Sequence, residues 1–372
     1  MPIYMDRHDV SETVTAENVA RLHQEDLKVQ DKFGCRGLTY WYDDKRKTAF
    51  CLIEADNVSQ IIEMHNHAHG ETPNQIIEVD TGVVESFLGR IEDPVKAKGT
   101  ELNIIDDSAF RIIMVINLKP STPLKYNAQY NSLLENYRSI IVNVLIGFHG
   151  KIAKQNESNF LVSFRSVSCA VQAAFKIRVL LEESSANSKD QPCLKIGLSA
   201  GVPVTKKKSI FEDVIKLAER MCKVVKEEII ISSEVKELYD NENRKVLIEE
   251  EGVRCLTRED EAFLNLLMEF IESNWSRIDL KVEDLNKSIG YSKSQLYRKM
   301  ILITGKSPNT LLNEYRLNEA FELLNKNTNN VSQIAYDTGF TSPSYFSKCF
   351  QKQYGHLPSQ FLYKKTSDVL EK

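Results

Sequence analysis

The last third of the chain carries one pattern twice. VEDLNKSIGYSKSQLYRKMILITGKSP occupies residues 282–308, and VSQIAYDTGFTSPSYFSKCFQKQYGHLP occupies residues 331–358. Leu285 matches Ile334, Gly290 matches Gly339, Tyr291 matches Phe340 and Leu296 matches Tyr345 at an offset of 49. After one insertion Gly305 matches Gly355 and Pro308 matches Pro358 at an offset of 50. Each copy reads as a short helix, a glycine turn and a second helix capped by Ser292, or by Thr341 or Ser342. Glycine suits such a turn because it adopts positive φ without a steric penalty. Between the copies, Leu311, Leu312, Tyr315, Leu317, Ala320 and Leu324 recur at helical spacing, as do Phe263, Leu264, Leu267, Phe270 and Ile271 before them. The pattern predicts an all-helical block with two helix-turn-helix units on a rigid spacer. Their second helices would suit major-groove faces about one DNA turn apart.

Charge follows the same division. The whole chain is at −4, which on average argues against a nucleic-acid partner. Residues 285–365 nevertheless hold eleven Lys/Arg against four Asp/Glu, a balance of +7, and leave about −11 on the rest. A basic module on an acidic body is the electrostatic footprint of a DNA reader joined to a regulatory body. No apolar run approaches the ~18 residues that span a bilayer, and the charged start MPIYMDRHDV has no signal-like core. Seven scattered cysteines without a Cys-x-x-Cys pair give neither a disulfide framework nor a zinc cluster. A cytoplasmic protein with reduced thiols is expected.

The block at 261–365 resembles the DNA-binding domain of AraC/XylS-type transcription regulators. The resemblance is carried by Ile334-Ala335, Gly339-Phe340, Ser344, Tyr345-Phe346, Lys348, Phe350, Gly355 and Pro358. The family's aromatic-Arg pair after that proline is incomplete: Phe361 is present and Leu362 follows it. The resemblance implies base-edge contacts at Ser294, Gln295, Tyr297 and Arg298, and at Ser344, Tyr345 and Lys348. Arg298 suits a guanine edge and Gln295 an adenine edge. Lys293, Lys299, Ser342 and Lys352 are expected to bind phosphates and to carry no sequence information.

Residues 110–235 alternate strand-like and helical segments. FRIIMVINL reads as a strand, GKIAKQNESNFLVSF as a hairpin, LKIGLSAGVPV as a strand pair and EIIISSEV as a strand with its exit. Helices are read at NSLLENYRSIIVNVLIGFHG, CAVQAAFKIRVLLEE and FEDVIKLAERMCKVV, and VLIEEEGVRCL offers a last strand or two. An α+β domain on an antiparallel sheet follows. Gly150-Lys151-Ile152, residues 160–164, residues 170–174, Ile196-Gly197-Leu198 and residues 217–220 resemble a class III nucleotidyl cyclase domain. That family holds two metal ions on two aspartates. Asn117 and Ser158 stand in their places, Lys216 replaces a ribose-orienting Asn, and Val202 replaces a further acid. Neutral side chains make a poor magnesium cage, so no cyclase activity is expected. Arg220 remains, on a helix where it reads equally as a solvated residue. Cyclase domains pair through sheet faces, so a homodimer is expected.

Residues 1–88 read as strand, helix capped by Thr15, hairpin around Asp43-Asp44, helix, and a closing strand IIEVDTGVV. This β-α-β-β-α-β order is ferredoxin-like. The domain resembles a small family described as nickel-binding through Tyr4-Met5-Asp6-Arg7-His8, residues 50–55, His65 with His69, and residues 76–79. Five of the seven histidines lie here. His65 and His69, at i and i+4, face the same way and suit Ni²⁺ or Zn²⁺; His67, His8 and His23 are weaker candidates. The other reading is a polar helix end whose histidines cap carbonyls before Gly70.

The expected architecture is multidomain α+β. It has a ferredoxin-like domain at 1–90, a degenerate cyclase-like domain at 108–255, and a double helix-turn-helix domain at 260–365 with units at 282–305 and 331–355. Polar segments 89–108 and 240–260 are read as linkers. The expected function is sequence-specific transcription regulation on double-stranded DNA, with the first two domains sensing a metal or small-molecule effector or dimerising. Contact with RNA polymerase is compatible with this, and no membrane contact is expected. A nucleotide cyclase, or a metal-binding protein with a DNA-binding output domain, is the alternative.

Overall fold

The computed structural model describes residues 1–95, 101–119, 128–185, 193–243, 252–326 and 330–360. The chain begins with β1 (Ile3–Asp9), α1 (Ala16–Val29), β2 (Arg36–Asp43), β3 (Thr48–Glu54), α2 (Val58–Ala68), β4 (Gln75–Val79) and α3 (Thr81–Leu88). The four strands lie in the order β2-β3-β1-β4, with every neighbouring pair antiparallel. Thr15 caps α1 through a capping box with Asn18, as the sequence predicts. The closing strand, expected to run through Val84, instead stops at Val79. The Asp80 carboxylate accepts the Val83 amide and starts a helix in its place.

The second sheet is built from β5 (Arg111–Lys119), α4 (Ala128–Gly147), β6 (Lys151–Gln155), β7 (Asn159–Phe164), α5 (Val167–Ser185), β8 (Cys193–Gly201), α6 (Glu212–Val224), β9 (Ile229–Ile231), α7 (Ser233–Glu242) and β10 (Val253–Cys255). Its order is β10-β9-β8-β5-β7-β6. LKIGLSAGVPV is one strand and not a pair, because β8 pairs with β5 along its whole length. The sheet is also mixed: β8, β9 and β10 run parallel. Helix α7, capped by Ser232, was not foreseen. Gly197 lets α6 approach β8 closely, since a Cβ there would meet the Ala218 carbonyl oxygen at 2.5 Å.

The remaining elements are helical: α8 (Arg258–Asn274), α9 (Val282–Ile289), α10 (Lys293–Thr304), α11 (Pro308–Lys326), α12 (Val331–Asp337) and α13 (Pro343–Tyr354). Gly290 and Gly339 both take φ +78° in the turns. At Gly339 a Cβ would also press on the Trp275 carbonyl and the Arg316 guanidinium. Arg316 is buried on α11 and donates to the carbonyls of Trp275 (2.7 Å) and Arg277 (2.6 Å). It therefore ties the end of α8 to the second unit. Phe361 and Leu362 lie outside the described residues.

Strand alternation decides how the three parts meet. Ile112, Met114, Ile116 and Leu118 of β5 face the core under α4, α5 and α7. Ile113, on the opposite face, joins Met5, Trp41, Phe50 and Leu52 of the first sheet around Phe87 of α3 and Phe211. Val115 on that same face joins Met221 of α6 and Phe263, Leu267, Met300 and Ile303 of the helical block. A bare sheet face for pairing two copies, expected from the cyclase resemblance, is thus covered by the chain itself. The segment read as a linker at 89–108 also packs: Ile105 is buried, and the Tyr40 hydroxyl donates to the Asn103 carbonyl and accepts from the Ile105 amide, each at 2.8 Å.

Arg220 is not a solvated residue. It is buried, and it reaches from α6 to α8, where it donates to Asn265 and Glu272, each at 2.8 Å, with Glu269 at 3.5 Å. Replacing it with Ala is expected to lower stability by about 1.5–3 kcal/mol, the range for hydrogen bonds to charged groups. Arg220→Lys should recover only part, since an ammonium lacks the two-sided fork. Denaturant titration of the full chain measures this, and unchanged midpoints would show that the clamp contributes nothing.

Candidate nucleic-acid interface and metal-ligand cluster

Helix α10 begins at a capping box: Ser292 accepts the Gln295 amide, and the Gln295 side-chain oxygen accepts the Ser292 amide. This leaves the Gln295 side-chain NH₂ facing outward as a donor. Leu296, Met300 and Ile303 bury one side of the helix. Lys293, Ser294, Gln295, Tyr297 and Arg298 are exposed on the rest. Lys299 does not join them freely, because its ammonium sits 2.5 Å from the buried Asp260 carboxylate. The carboxyl-terminal end of α10 is held by the middle domain. Arg254 Nη1 donates to the Leu302 carbonyl at 2.8 Å, and the Lys226 amide to the Ile303 carbonyl at 3.3 Å.

Helix α13 repeats the arrangement. Ser342 caps it by accepting the Tyr345 amide, Phe346, Phe350 and Tyr354 are buried, and Ser344, Tyr345, Lys348 and Lys352 are exposed. The caps place the inserted residue within the turn, so the second helices correspond at an offset of 50 throughout. Leu296 therefore matches buried Phe346. The pairing of Leu296 with Tyr345 fails because Tyr345 is 50% exposed. In the corrected register Ser294 matches Ser344, Gln295 matches Tyr345, and Arg298 matches Lys348. Ser347, the counterpart of Tyr297, is a position that the sequence reading missed.

Asn117 and Ser158, read as replacements for metal-binding acids, do lie together at one end of the middle sheet. The Leu118 amide donates to the Ser158 carbonyl at 2.8 Å, and the Asn117 side chain donates to Asn159. They line a cleft of about 500 Å³ whose other wall includes Tyr315, Asn318 and Tyr354. Lys216 pairs with Glu212 one helical turn away.

In the first domain the structure gathers three of the five histidines. His65 is buried; its Nδ1 lies 3.1 Å from Asp26 Oδ1, and its Nε2 lies 2.9 Å from Asp6 Oδ2. His69 Nε2 lies 3.2 Å from Asp26 and 3.4 Å from His65 Nδ1. His8 Nε2 lies 3.4 Å from Asp6 Oδ1. His67 is exposed and rests against Phe33, and His23 points its Nε2 at Asp93, 3.2 Å away. Asp6 and Asp26 are the members that sequence reading missed. Their signal was present: Asp26 falls on the buried stripe Val19-His23-Asp26 of α1, where an unpaired carboxylate would be costly.

The charges in this cluster support one another. Burial alone would push His65 down, but its hydrogen bonds to the carboxylates of Asp26 and Asp6, with their charges, hold it up at about 10. Burial likewise pushes Asp6 and Asp26 up, and the histidines outweigh it, so both carboxyls titrate below the usual range. Asp26 Oδ1, His65 Nδ1 and His69 Nε2 stand 3.1–3.4 Å apart. Donors bonded at about 2.0–2.2 Å to one ion are spaced similarly. Asp6 then holds the far nitrogen of His65, as carboxylates behind metal-bound histidines do. One contact must yield: His69 Nδ1 accepts the Glu71 amide at 3.1 Å, and ligation through Nε2 would put a proton on Nδ1.

Residues 285–364 match the family model described as a helix-turn-helix domain, and residues 4–79 match that of the nickel responsive protein SCO4226-like. Over 102 residues the chain is 39% identical to histidine kinase P4 of Formosa agariphila, covering 27% of this chain and 7% of that one. It is 33% identical over 94 residues to an HTH-type transcriptional regulator of Pseudoalteromonas carrageenovora, covering 25% of this chain and 55% of that one. The crystal structure of SCO4226 from Streptomyces coelicolor aligns with 21% of this chain and 94% of its own, at 27% identity and a TM-score of 0.20. The chain therefore spans about half or less of these two curated relatives. Among the described residues no helix is long and apolar enough to cross a membrane.

The buried cluster sets a pH window for the metal-free protein. His65 is raised in the folded state, so its contribution is complete below its ordinary 6.5 and is lost as pH rises through about 10. Asp6 and Asp26 are depressed, so theirs is complete above the ordinary 3.8 and is lost only at lower pH. Thermal unfolding of the first domain within the full chain should therefore be highest between these limits and fall on the alkaline side. Asp26→Asn should make that alkaline fall shallower; an identical slope would remove the Asp26–His65 pair as its source.

Proposed function

We propose that this chain, which carries an AraC-type helix-turn-helix domain at its C-terminus and an SCO4226-like domain at its N-terminus, is a sequence-specific DNA-binding transcription regulator that responds to a divalent metal. The observation that carries the reading is the pair of matched exposed faces, Ser294, Gln295, Tyr297 and Arg298 on α10, and Ser344, Tyr345 and Lys348 on α13. Each sits on a helix whose other side is packed against a shared scaffold. In this proposal those residues read base edges. Lys293, Ser342 and Lys352 bind phosphates, and Lys299 does so only if it leaves Asp260.

The strand order β2-β3-β1-β4 supports a ferredoxin-like first domain at about 1–90. The same order recurs in the middle as β6-β7-β5-β8, with Asn117 beside Ser158, which supports descent from a cyclase-like domain at 108–255. An amide and a hydroxyl cannot supply the carboxylate cage for two ions, so the domain's role here is packing and signal transfer without turnover. Incubation with ATP or GTP and Mg²⁺ or Mn²⁺ tests this; cyclic nucleotide above background would overturn it. The helical block takes 260–365. Ni²⁺ or Zn²⁺ would be held by Asp26, His65 and His69, with Asp6 behind His65. The homodimer of this proposal uses surfaces other than the covered sheet face, and RNA polymerase contact falls on the helical block.

DNA fragments selected by the full-length protein, with and without Ni²⁺, test the reading directly. On the selected site Arg298→Ala should cost about 1–3 kcal/mol and relax one base position. Lys352→Ala should weaken all sequences alike and lower the salt slope by about one. Equal losses on selected and random DNA for Arg298→Ala would remove its base-reading role.

A further inference from the structure

Behind the His65–His69–Asp26 group lies a second set of donors that this group does not use. Asp6, His8 and Cys51 present one carboxylate oxygen, one imidazole nitrogen and one thiol whose ligand atoms all lie within 4.8 Å of one another. The strands explain the meeting. Asp6 and His8 alternate to the same face of β1, and Cys51 lies on that face of the neighbouring β3, two residues from Ala49, the register partner of His8. His8 Nε2 is buried without a hydrogen-bond partner, although Asp6 Oδ1 is only 3.4 Å away. A buried nitrogen left unpaired beside a carboxylate is costly. An ion pair gives such a spacing, and so do two ligands of one ion. His8, Cys51, His65, His69 and Asp26 also line one cavity of about 260 Å³, which gives both groups a common access.

We propose that Asp6, His8 and Cys51 form a second divalent-cation site beside the His65–His69–Asp26 site, with Asp6 linking the two. Asp6 Oδ1 serves the second ion, and Asp6 Oδ2 accepts the proton on His65 Nε2, as it does now at 2.9 Å. Carboxylate, imidazole and thiolate together select a borderline cation such as Zn²⁺, Co²⁺ or Ni²⁺ over Mg²⁺ or Ca²⁺. Loading the site releases the thiol proton of Cys51 to solvent, since the thiolate is the ligand. This rests on reading the first domain as metal-binding, and the two claims fail differently.

Metal-free full-length protein is dialysed against Co²⁺, bound cobalt is counted, and the thiolate-to-cobalt absorption band is recorded. Two ions per chain with the band are expected. Cys51→Ser should abolish the band and reduce the count to one, and His8→Asn should likewise reduce the count to one. His8 is partly exposed, so the second variant keeps the test alive if Cys51→Ser does not fold. One ion without the band in the wild-type protein overturns the second site and leaves the first standing. One ion with the band places the cation at Cys51 alone and overturns the paired arrangement. No bound cobalt removes both claims.

Discussion

The packing of this chain depends on burying both faces of β5. A strand sends alternate side chains to opposite faces, and in β5 each face is apolar. Ile112, Met114, Ile116 and Leu118 enter one core, while Ile113 and Val115 enter two others. At the start of the strand Arg111 is buried and donates to the carbonyls of Phe87 and Leu88, at the end of α3. A guanidinium there satisfies carbonyls that a helix end leaves unpaired. It also fixes α3 between the two sheets. Without the second face, the first domain and the helical block would have no common support.

That support is unequal between the two helix-turn-helix units. The first shares a core with the middle domain through Met300 and Ile303, and Arg254, Lys226 and Arg220 fasten its surroundings. The second keeps its own core of Leu317, Ala320, Leu324, Phe340, Phe346 and Phe350. It meets the first chiefly through α11, with Arg316 as the polar link. Reorientation between the units therefore costs less on the side of the second unit, where less apolar surface is shared. The middle domain has its firmest hold on the first unit.

Much of this was legible because periodicity reports burial. The duplication, the glycine turns, the caps at Thr15 and Ser292, and the β-α-β-β-α-β order follow from spacing alone. Spacing failed where a polar residue took an apolar position. Asp26 on α1, Arg220 on α6 and Arg316 on α11 each lie on a buried stripe, and each is paired with a group far away in sequence. A stripe marks the burial but not the partner. Helix α3 was read as strand because Val83 and Val84 favour strands; the Asp80 cap outweighs them. The register of the second recognition helix slipped by one residue because the insertion lies inside the turn, where no apolar position fixes it.

The same alternation divides β1 between the interdomain core and the histidine cluster. On β1, Met5 points into the core shared with the middle domain, and its neighbour Asp6 points into the histidine cluster. The histidine cluster and the interdomain core are therefore separated by one strand. Proximity alone transmits nothing: a ligand shifts an equilibrium only by its difference in affinity for the two states. The protonated His65 ring bridges Asp26 through Nδ1 and Asp6 through Nε2, doing electrostatically part of what a cation would do. A divalent ion would change the domain only to the extent that it moved β1 or α1 from where that ring holds them. At His69 ligation through Nε2 would break one contact, because Nδ1 now accepts the Glu71 amide. The adjoining Gly70, at φ +81°, lets the backbone turn there without strain.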